Sequence, residues 1–461
     1  MTPGLDAIRD CLEGATPGVI ATCAADGTPN VAYLSQLHYV DPSHVALSFQ
    51  FFNKTRQNVL ANPHASVMVL NPATAQAYRL EVQYLRTETD GPLFEYMKAR
   101  LAGIASHTGM ADVFRLRGAD IYRVRSIEAV PGGALPPPPP RCSLLPALRA
   151  CVQRLAACND LSALLNETMD CLQRQFGIEH AMVLMLDASG RKLYAVASRG
   201  YETSGVGSEI AIGAGVIGVA ARERTPIRIS HRHADYDYAR AVRDSVEQEG
   251  MAGLIETAIP LPGLGEPHSQ LAVPIVAGRQ LLGVLYVESP QDLRFSYDDE
   301  DVLAALAAQL ATSMRLLHSA GEGEEEGVVA PAAPDRQAQA VASHAAPPAG
   351  QAGTSAALVR HYPVDGSVFL DGDYLIKGVA GWILWALLTD LVQQGRTDFT
   401  NRELRLDPRT RLPDVSDNLE ARLILLQRRL AERDACVRIE KTGRGRLRLS
   451  ALRPLRLEAI G

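Results

Sequence analysis

Arginine side chains recur near the end of the chain at spacings that could bind nucleic acid. A predicted helix from Asp417 to Arg433 carries four of them, three on one face and one beside it: Arg422, Arg429 and Arg433, with Arg428. A guanidinium group offers a planar fork of donors that suits phosphate oxygens and the acceptor edge of guanine. The spacing therefore predicts guanidinium groups that point to solvent and contact DNA.

A short basic hairpin is predicted directly after this helix, from Val437 to Leu449. Gly443 and Gly445 permit the positive φ values of a tight turn. Successive side chains of a strand point to opposite faces, so three arginines share one face of the ribbon: Arg444, Arg446 and Arg448. A cationic helix beside a cationic hairpin is a geometry suited to reading DNA.

The elements that must position these arginines are also visible in the sequence. Four leucines at i, i+4, i+7 and i+11 predict that one face of the helix is buried: Leu419, Leu423, Leu426 and Leu430. Upstream, Phe369 to Ile376 predicts a short strand pair, and Trp382 to Val392 predicts an apolar helix. Thr400 and Glu403 have the spacing of a capping box that begins a further short helix.

Charge is distributed unevenly along the chain. The 461 residues include 46 Lys and Arg against 52 Asp and Glu, for a net charge of −6. From Arg396 onward there are sixteen Lys and Arg against ten Asp and Glu. A local basic excess on an acidic protein predicts a nucleic-acid footprint. The alternative is a solvated charged helix in an ordinary small α+β domain.

Length and composition allow about three domains with buried cores. No run of eighteen apolar residues occurs and the N-terminus lacks a signal-peptide pattern, so we expect a cytoplasmic protein. The seven cysteines include no CxxC pair, which argues against a disulfide framework and a zinc ribbon. Cys151 and Cys158, on one predicted helix, are interpreted as core thiols, with a redox sensor as the alternative.

Two low-complexity segments divide the chain. Five consecutive prolines, Pro136 to Pro140, predict a stiff spacer within residues 132–142. Residues 320–356 begin with a glutamate run and continue in Ala, Pro, Gly and Gln, which predicts a disordered tether. We therefore expect three globular domains, at residues 1–131, 143–319 and 357–461.

The first domain is predicted to be an antiparallel β-barrel, with strands at Gly18 to Cys23, Asn30 to Leu37, Val45 to Phe49 and Ser66 to Leu70. It resembles the pyridoxamine-phosphate-oxidase-like, FMN-binding split barrels through Gly18 to Thr22, Gly27 to Ala32, and Asn53 to Asn58 followed by Asn62-Pro63. The resemblance implies that the last segment holds the FMN phosphate. It also implies that Ser35 and Gln36 face the isoalloxazine ring.

Cations and hydrogen-bonding groups that converge on one turn suit a dianionic phosphate. Five consecutive residues supply them: Lys54, Thr55, Arg56, Gln57 and Asn58. The substrate-binding Arg and His signature of the vitamin oxidases has no counterpart near Tyr122 to Val130, which argues against that activity. Members of the superfamily also bind haem or deazaflavin, or have an empty barrel that dimerises, so FMN is one of several open alternatives.

The middle domain begins with a helix predicted from Leu144 to Phe176. It resembles a GAF sensory domain through Gly213 to Thr225, Ala272 to Ile275, Leu282 to Glu288 and Phe295 to Glu300. The resemblance implies a ligand pocket without identifying the ligand. His231 and His233 fall where a pocket-lining loop is expected, and both a metal or haem ligand role and an exposed loop position stay open. A helix from Asp298 to Leu317 has the leucine spacing of a dimer seam.

The order of elements in residues 365–449 resembles a winged-helix DNA-binding domain of the response-regulator type. The resemblance implies a helix in the major groove and a hairpin tip that touches the minor groove or backbone. Leu447 stands where that family usually has an aromatic residue. The predicted fold class is multidomain α+β: a split β-barrel, then a GAF α/β/α sandwich, then a winged helix.

These features predict a one-component transcription regulator that senses a small molecule or redox state and binds double-stranded DNA as a homodimer. No catalytic triad, phosphate loop, cyclase or kinase motif occurs, so no catalytic residue and no metal site is predicted. Two alternatives stay open. One is an FMN-dependent oxidoreductase with a regulatory GAF domain, and the other is a protein-interaction scaffold.

Overall fold

A computed structural model describes residues 3–13, 16–34, 36–49, 54–107, 116–230, 261–265, 267–326, 356–412, 419–443 and 445–460. The chain divides into two compact units. The first comprises Met1–Ala157, Leu165–Glu256 and Pro260–Ala311, and the second is mainly Thr312–Gly461. None of the helices in the described ranges is long and apolar enough to cross a membrane.

The N-terminal part of the first unit begins with a 3-10 helix, Leu5–Leu12. Its strands are β1 (Gly18–Cys23), β2 (Pro29–Leu34), β3 (Leu37–Asp41), β4 (His44–Phe49), β5 (His64–Leu70), β6 (Ala77–Glu88) and β7 (Gly118–Ala129). Its helices are α1 (Lys54–Ala61) and α2 (Pro92–His107). The predicted strand from Asn30 to Leu37 is two strands here, and sequence reasoning missed β6 and β7.

These strands form one antiparallel sheet in the order β2-β1-β5-β6-β7-β4-β3. Strands from both ends of this order contribute to a single core, for example through Leu34 on β2, Val67 on β5 and Val45 on β4. The sheet therefore curves around that core. The 3-10 helix adds its own apolar side chains to it: Leu5, Ile8 and Leu12.

The middle part of the chain contains the helices α3 (Leu145–Ala156), α4 (Leu161–Phe176), α5 (Gly215–Glu223) and α6 (Tyr297–Glu326). They belong to the first unit, except for Leu161–Leu164 of α4 and the part of α6 after Ala311. The strands of this middle part are β8 (His180–Leu186), β9 (Lys192–Arg199), β10 (Glu209–Ala211), β11 (Ile227–Ile229), β12 (Ser269–Ala277) and β13 (Gln280–Ser289). They pair in the order β10-β9-β8-β13-β12-β11. Side chains of this sheet and of α5 pack with Ala99 from α2, so the two parts of the unit share a core.

The helix predicted from Leu144 to Phe176 is interrupted in the structure. α3 ends at Ala156, and the Asp160 carboxylate then accepts a hydrogen bond of 2.9 Å from the Ala163 amide. A side-chain cap of this kind starts a new helix at Leu161. Cys151 and Cys158 therefore do not share one helix.

Helix α6 also differs from its prediction. It extends to Glu326, so the glutamate run that opens the predicted tether is helical, and residues 327–355 lie outside the described ranges. Leu303, Leu306 and Leu310 of the predicted dimer seam are buried within the chain itself. This face of α6 packs in the core of its own protomer, and the homodimer stays a prediction.

The second unit contains two small sheets. Its elements are β14 (Ala357–Tyr362), β15 (Ser367–Leu370), β16 (Asp373–Ile376), α7 (Gly378–Gln394), β17 (Asp398–Thr400), α8 (Asn401–Leu406), a 3-10 turn (Pro408–Thr410), α9 (Leu419–Glu432), β18 (Val437–Gly443), β19 (Arg446–Ala451) and β20 (Leu455–Ala459). The sheet orders are β16-β15-β14-β20 and β17-β19-β18. The capping box of Thr400 and Glu403 is present, as predicted. Assignment of this unit to the winged-helix class stays a prediction.

Close packing of α2 on β11 requires a glycine at position 103. A Cβ atom on Gly103 would lie 2.3 Å from Ile227 Cγ2. Replacing a helical glycine by alanine normally stabilises a helix by roughly 0.5–1 kcal/mol, but overpacking costs about 1–3 kcal/mol. We therefore expect Gly103→Ala to lower the free energy of unfolding, measured by urea denaturation. Gly132→Ala, where a Cβ meets nothing within 4 Å, is the control, and equal stability of both variants would contradict this packing.

Candidate functional site

The predicted phosphate-binding residues lie on the first turns of α1, and their side chains are buried to different extents. Lys54 and Gln57 are exposed, Thr55 and Arg56 are half-buried, and Asn58 is 2% exposed. The first-turn amides of a helix attract anions. Lys54, Gln57 and these amides thus form the part of the predicted site that a phosphate could reach.

The Arg56 guanidinium group is already paired. It forms a salt bridge with Asp120, which also accepts a hydrogen bond of 2.6 Å from Thr87 Oγ1. Burial disfavours the arginine charge, but the neighbouring Asp120 carboxylate raises the pKa of Arg56 above its ordinary value. The guanidinium also lies over the Phe49 ring, 4.7 Å from its centre. Arg56 therefore ties α1 to β7, and its predicted role as a phosphate ligand would compete with this salt bridge.

The Asn58 side chain also connects α1 to the sheet, through a hydrogen bond. Its side-chain amide donates to Thr22 Oγ1 at 3.0 Å, and the Asn30 amide donates to Thr55 Oγ1 at 2.9 Å. Together these bonds connect α1 to β1 and β2 and satisfy polar groups that would otherwise be buried without partners. They fix the helix whose exposed first turn carries Lys54.

Of the two residues predicted to face a flavin ring, Ser35 lies outside the described residues, whereas Gln36 is described. Gln36 is 7% exposed, and its amide can donate to Met97 O and accept from Leu101 N, each at 3.1 Å. In that orientation the Gln36 side chain, just before β3, bonds to the backbone of α2. A contact of Gln36 with a cofactor stays a prediction. His231 and His233 also lie outside the described residues.

Sequence reasoning missed a buried charge cluster that links the two parts of the first unit. Its members come from four elements and are each less than 9% exposed: Glu13 after the 3-10 helix, Arg100 on α2, Arg228 on β11 and Glu300 in the first turn of α6. The charges of its two arginines and two glutamates sum to zero. The available signal was an arginine between two isoleucines in the short strand Ile227–Ile229.

Arg228 lies at the centre of this buried charge cluster. Its Nε lies 2.8 Å from Glu300 Oε2, and its Nη2 forms a salt bridge with Glu13. Arg100 Nη2 donates to the Glu13 carbonyl oxygen at 3.0 Å. Burial opposes the charge of Glu300, yet Arg228 and then Arg100 hold its pKa below the ordinary value.

Two aromatic side chains extend the cluster into the barrel. The Tyr96 hydroxyl donates to Glu300 Oε1 at 2.7 Å, and the His38 ring lies 5.0 Å from the Tyr96 ring. Burial and then the Arg100 charge lower the pKa of His38 to about 3, so this imidazole is neutral at physiological pH. The cluster therefore reaches from β3 of the barrel to the first turn of α6.

The predicted DNA-contacting arginines of α9 do not all point to solvent. Arg422 and Arg429 are 8% and 7% exposed, and Arg429 Nε donates to the Leu375 carbonyl oxygen at 3.0 Å. The prediction of an outward-facing row is therefore wrong for these two residues, because α9 is buried on most of its surface. Arg428 is half-buried and Arg433 is exposed.

The hairpin retains part of its predicted basic face. Arg446 and Arg448 on β19 are exposed, as the strand alternation predicts, whereas Arg444 lies outside the described residues. Arg448 Nη2 lies 2.8 Å from Asp398 Oδ1 on β17. DNA contact by any of these arginines stays a prediction.

Two protein-family models match the chain. One, described as pyridoxamine 5'-phosphate oxidase, matches residues 5–125, and the other, described as GAF domain, matches residues 160–314. The first unit therefore contains a pyridoxamine 5'-phosphate oxidase-like domain followed by a GAF domain, and both predictions of domain family are confirmed. These domain types indicate a sensory or regulatory protein. No curated protein matches the chain.

Solved structures are also similar to parts of this chain. The GAF domain of an Acinetobacter phosphoenolpyruvate-protein phosphotransferase is 23% identical, covers 38% of this chain and 94% of its own, and has a TM-score of 0.30. An FMN-binding protein from Syntrophomonas wolfei is 19% identical, covers 28% of this chain and 86% of its own, and has a TM-score of 0.24. HupZ from Group A Streptococcus is 20% identical, and the match covers 29% of this chain and 98% of HupZ with a TM-score of 0.23.

The charge cluster predicts a large stability effect for Arg228. We expect Arg228→Met to cost about 3–5 kcal/mol in urea unfolding, because it leaves two buried carboxylates without their shared cation. Adding Glu300→Gln to this variant should restore part of the loss. Arg222→Met removes an exposed arginine that pairs with Glu223 and should cost less than about 1 kcal/mol. Similar losses for both single variants would contradict a coupling role for the cluster.

Proposed function

We propose that this chain, with its pyridoxamine 5'-phosphate oxidase-like and GAF domains, is a one-component sensory transcription regulator. The first unit receives a small-molecule or redox signal, and the second unit acts on DNA. The sensory part of the proposal rests on the buried charge cluster, because residues of both the barrel and the GAF domain belong to it. A change in either domain therefore reaches the other through Arg228 and its partners.

The chain passes from the first unit to the second within helix α6, after Ala311. Glu300, in its first turn, contacts Arg228 on β11 and Tyr96 on α2. A ligand that shifts α2 or β11 must therefore shift the start of α6 or break a buried ion pair. A ligand can only bias such an equilibrium by its difference in affinity for the two arrangements. We assign α6 the transmitting role on this basis.

The DNA-binding part of the proposal rests on cations that remain exposed in the second unit. These are Arg433 after α9 and Arg438, Arg446 and Arg448 on the hairpin. The burial of Arg422 and Arg429 reduces the expected contribution of α9, so we assign the main contact to the hairpin. A homodimer would present two hairpins and make the second contact intramolecular.

The same burial favours a second candidate function. A helix with most of its surface covered has little side chain left to place in a DNA groove. The second unit would then bind a protein, and the chain would be an interaction scaffold. The regulator and the scaffold predict different results when the purified chain is used to select fragments of genomic DNA.

FMN is the cofactor that we propose for the barrel. Lys54, Gln57 and the first-turn amides of α1 would hold its phosphate, and the bound group would supply a redox-active ring. Arg56 and Asn58 would act indirectly, since their contacts with Asp120 and Thr22 fix α1. Phosphate recognition of this kind uses a charge-assisted contact worth more than a neutral hydrogen bond.

FMN titration of the purified chain tests the barrel site. We expect quenching of flavin fluorescence, with affinity roughly tenfold weaker in Lys54→Ala, because about 1.4 kcal/mol of phosphate binding is lost. Lys98→Ala, which removes an exposed lysine that pairs with Glu95 on α2, is the control and should bind as the unmodified chain does. Failure of the chain to bind FMN, or equal affinity of both variants, would remove this assignment.

Selection of genomic fragments by the full-length chain tests the DNA proposal. At about 0.15 M salt, where phosphate-only binding is largely suppressed, we expect recovery of a shared site. Arg446→Glu should weaken binding to that site and lower its salt dependence by about one counterion. Arg456→Ala, at an exposed arginine on β20, is the control. Recovery at background level would reject the regulator and favour the scaffold.

A further inference from the structure

Strand β20 lies at one edge of the four-stranded sheet of the second unit, where β14 is its neighbour among the described strands. The two strands pair in parallel without a shift, from Ala357 with Leu455 to His361 with Ala459. An edge strand leaves a row of backbone N–H and C=O groups that its own sheet does not pair. β20 therefore offers another strand a place to bind.

The hydrogen bonds at the two ends of β20 show which residues face this open edge. Ala357 N donates to Pro454 O, and Ile460 N donates to His361 O, each at 2.8 Å. Successive residues of a strand direct their backbone groups to opposite sides, so the even-numbered residues of β20 face β14. Three residues therefore direct their N–H and C=O groups to the open edge: Leu455, Leu457 and Ala459.

The other edge strands in the described part of the second unit are less suited to pairing. On β16, Leu375 is an extra residue between the paired Tyr374 and Ile376, and its carbonyl oxygen accepts from Arg429. On β18, Thr442 is extra in the same way, and β17 has only three residues. Bulges and short length protect an edge against pairing with another chain. The pairing of β20 with β14 has no such bulge.

The charged side chains of β20 are self-complementary. Arg456 and Glu458 flank Leu457 on one face of the strand, with Arg456 Nη2 3.1 Å from Glu458 Oε1, and the Arg456 side chain is 74% exposed. An antiparallel pairing of two copies about Leu457 places Arg456 of each copy opposite Glu458 of the other. Opposite charges that face each other across two strands stabilise the pair, whereas like charges destabilise it.

We propose that β20 binds β20 of a second copy of this chain, in an antiparallel pair centred on Leu457. The backbone and the side chains select the same register. Leu457 meets Leu457 and Leu455 meets Ala459, so each of these pairs brings together open-edge groups and about six backbone hydrogen bonds can form. Arg456 and Glu458 then form the pairs without hydrogen bonds, in which the side chains lie closest.

This contact goes beyond the proposed function, because it requires neither FMN nor DNA. It is two-fold symmetric, so it uses the same strand of both copies and ends at two. The two four-stranded sheets would become one continuous sheet, and the hairpins of both copies would belong to one assembly. The test is therefore self-association of the chain alone, which can succeed or fail independently of DNA binding.

Sedimentation equilibrium of the full-length chain without DNA or FMN measures this association. We expect a concentration-dependent dimer of the unmodified chain. Arg456→Glu and Glu458→Arg should each weaken association about tenfold, because each places like charges opposite each other across the strands. An equimolar mixture of the two variants should associate as well as the unmodified chain, since Arg and Glu again face each other in the mixed pair.

Arg438→Glu is the matched control, because it reverses the charge of an exposed arginine on the bulged edge strand β18. It should associate as the unmodified chain does. Arg456→Ala removes an attraction without adding a repulsion, so we expect less than about a threefold change. Circular dichroism shows whether each variant is folded. Association that the reversals at Arg456 and Glu458 leave unchanged would overturn the proposal, as would equal weakening by Arg438→Glu.

Cysteine cross-linking tests the register of the pair. In a mixture of Arg456→Cys and Glu458→Cys chains, the new thiols lie opposite each other with Cα atoms about 4.5 Å apart, within the range of a disulfide. In either variant alone they lie on a diagonal, roughly 7–8 Å apart. After oxidation with diamide and cleavage with trypsin, we expect linked fragments 449–461 and 457–461 from the mixture. No such linkage, or equal linkage within either variant alone, would reject this pairing.

Discussion

One buried guanidinium group holds the first unit together. Arg228 pairs with Glu13, which precedes the barrel strands, and with Glu300, which begins the last helix of the GAF domain. A charge removed from water is tolerated only where opposite charges and hydrogen bonds replace its hydration. The 3-10 helix, β11 and the start of α6 must therefore be in place together. The barrel and the GAF domain cannot separate without leaving these charges uncompensated.

Much of the polar chemistry that the chain offers to ligands is used by the fold itself. Arg56 joins α1 to β7, Asn58 joins it to β1, and Arg429 donates to a backbone carbonyl group. Each contact replaces a hydrogen bond that the group would make with water in the unfolded chain. Among the described residues of the two predicted sites, the exposed side chains include Lys54 and Gln57 on α1, Arg433 after α9, and Arg446 and Arg448 on the hairpin.

The GAF domain contacts the barrel through the charge cluster. Arg228 on strand β11 pairs with Glu13, and Glu300 at the start of helix α6 accepts a hydrogen bond from Tyr96 on α2. A ligand that binds the barrel, as proposed above, would therefore act on the start of α6.

The sequence by itself determined the features that depend on neighbouring residues. The capping box at Thr400 and the hairpin after α9 follow from local spacing, and the structure agrees with both. Resemblance of short segments indicated the GAF and barrel families, and the family models agree. The tertiary structure decided which charged side chains reach solvent. Glu13 and Arg228 are 215 residues apart in the chain. Burial depends on such distant partners, which no local spacing reveals.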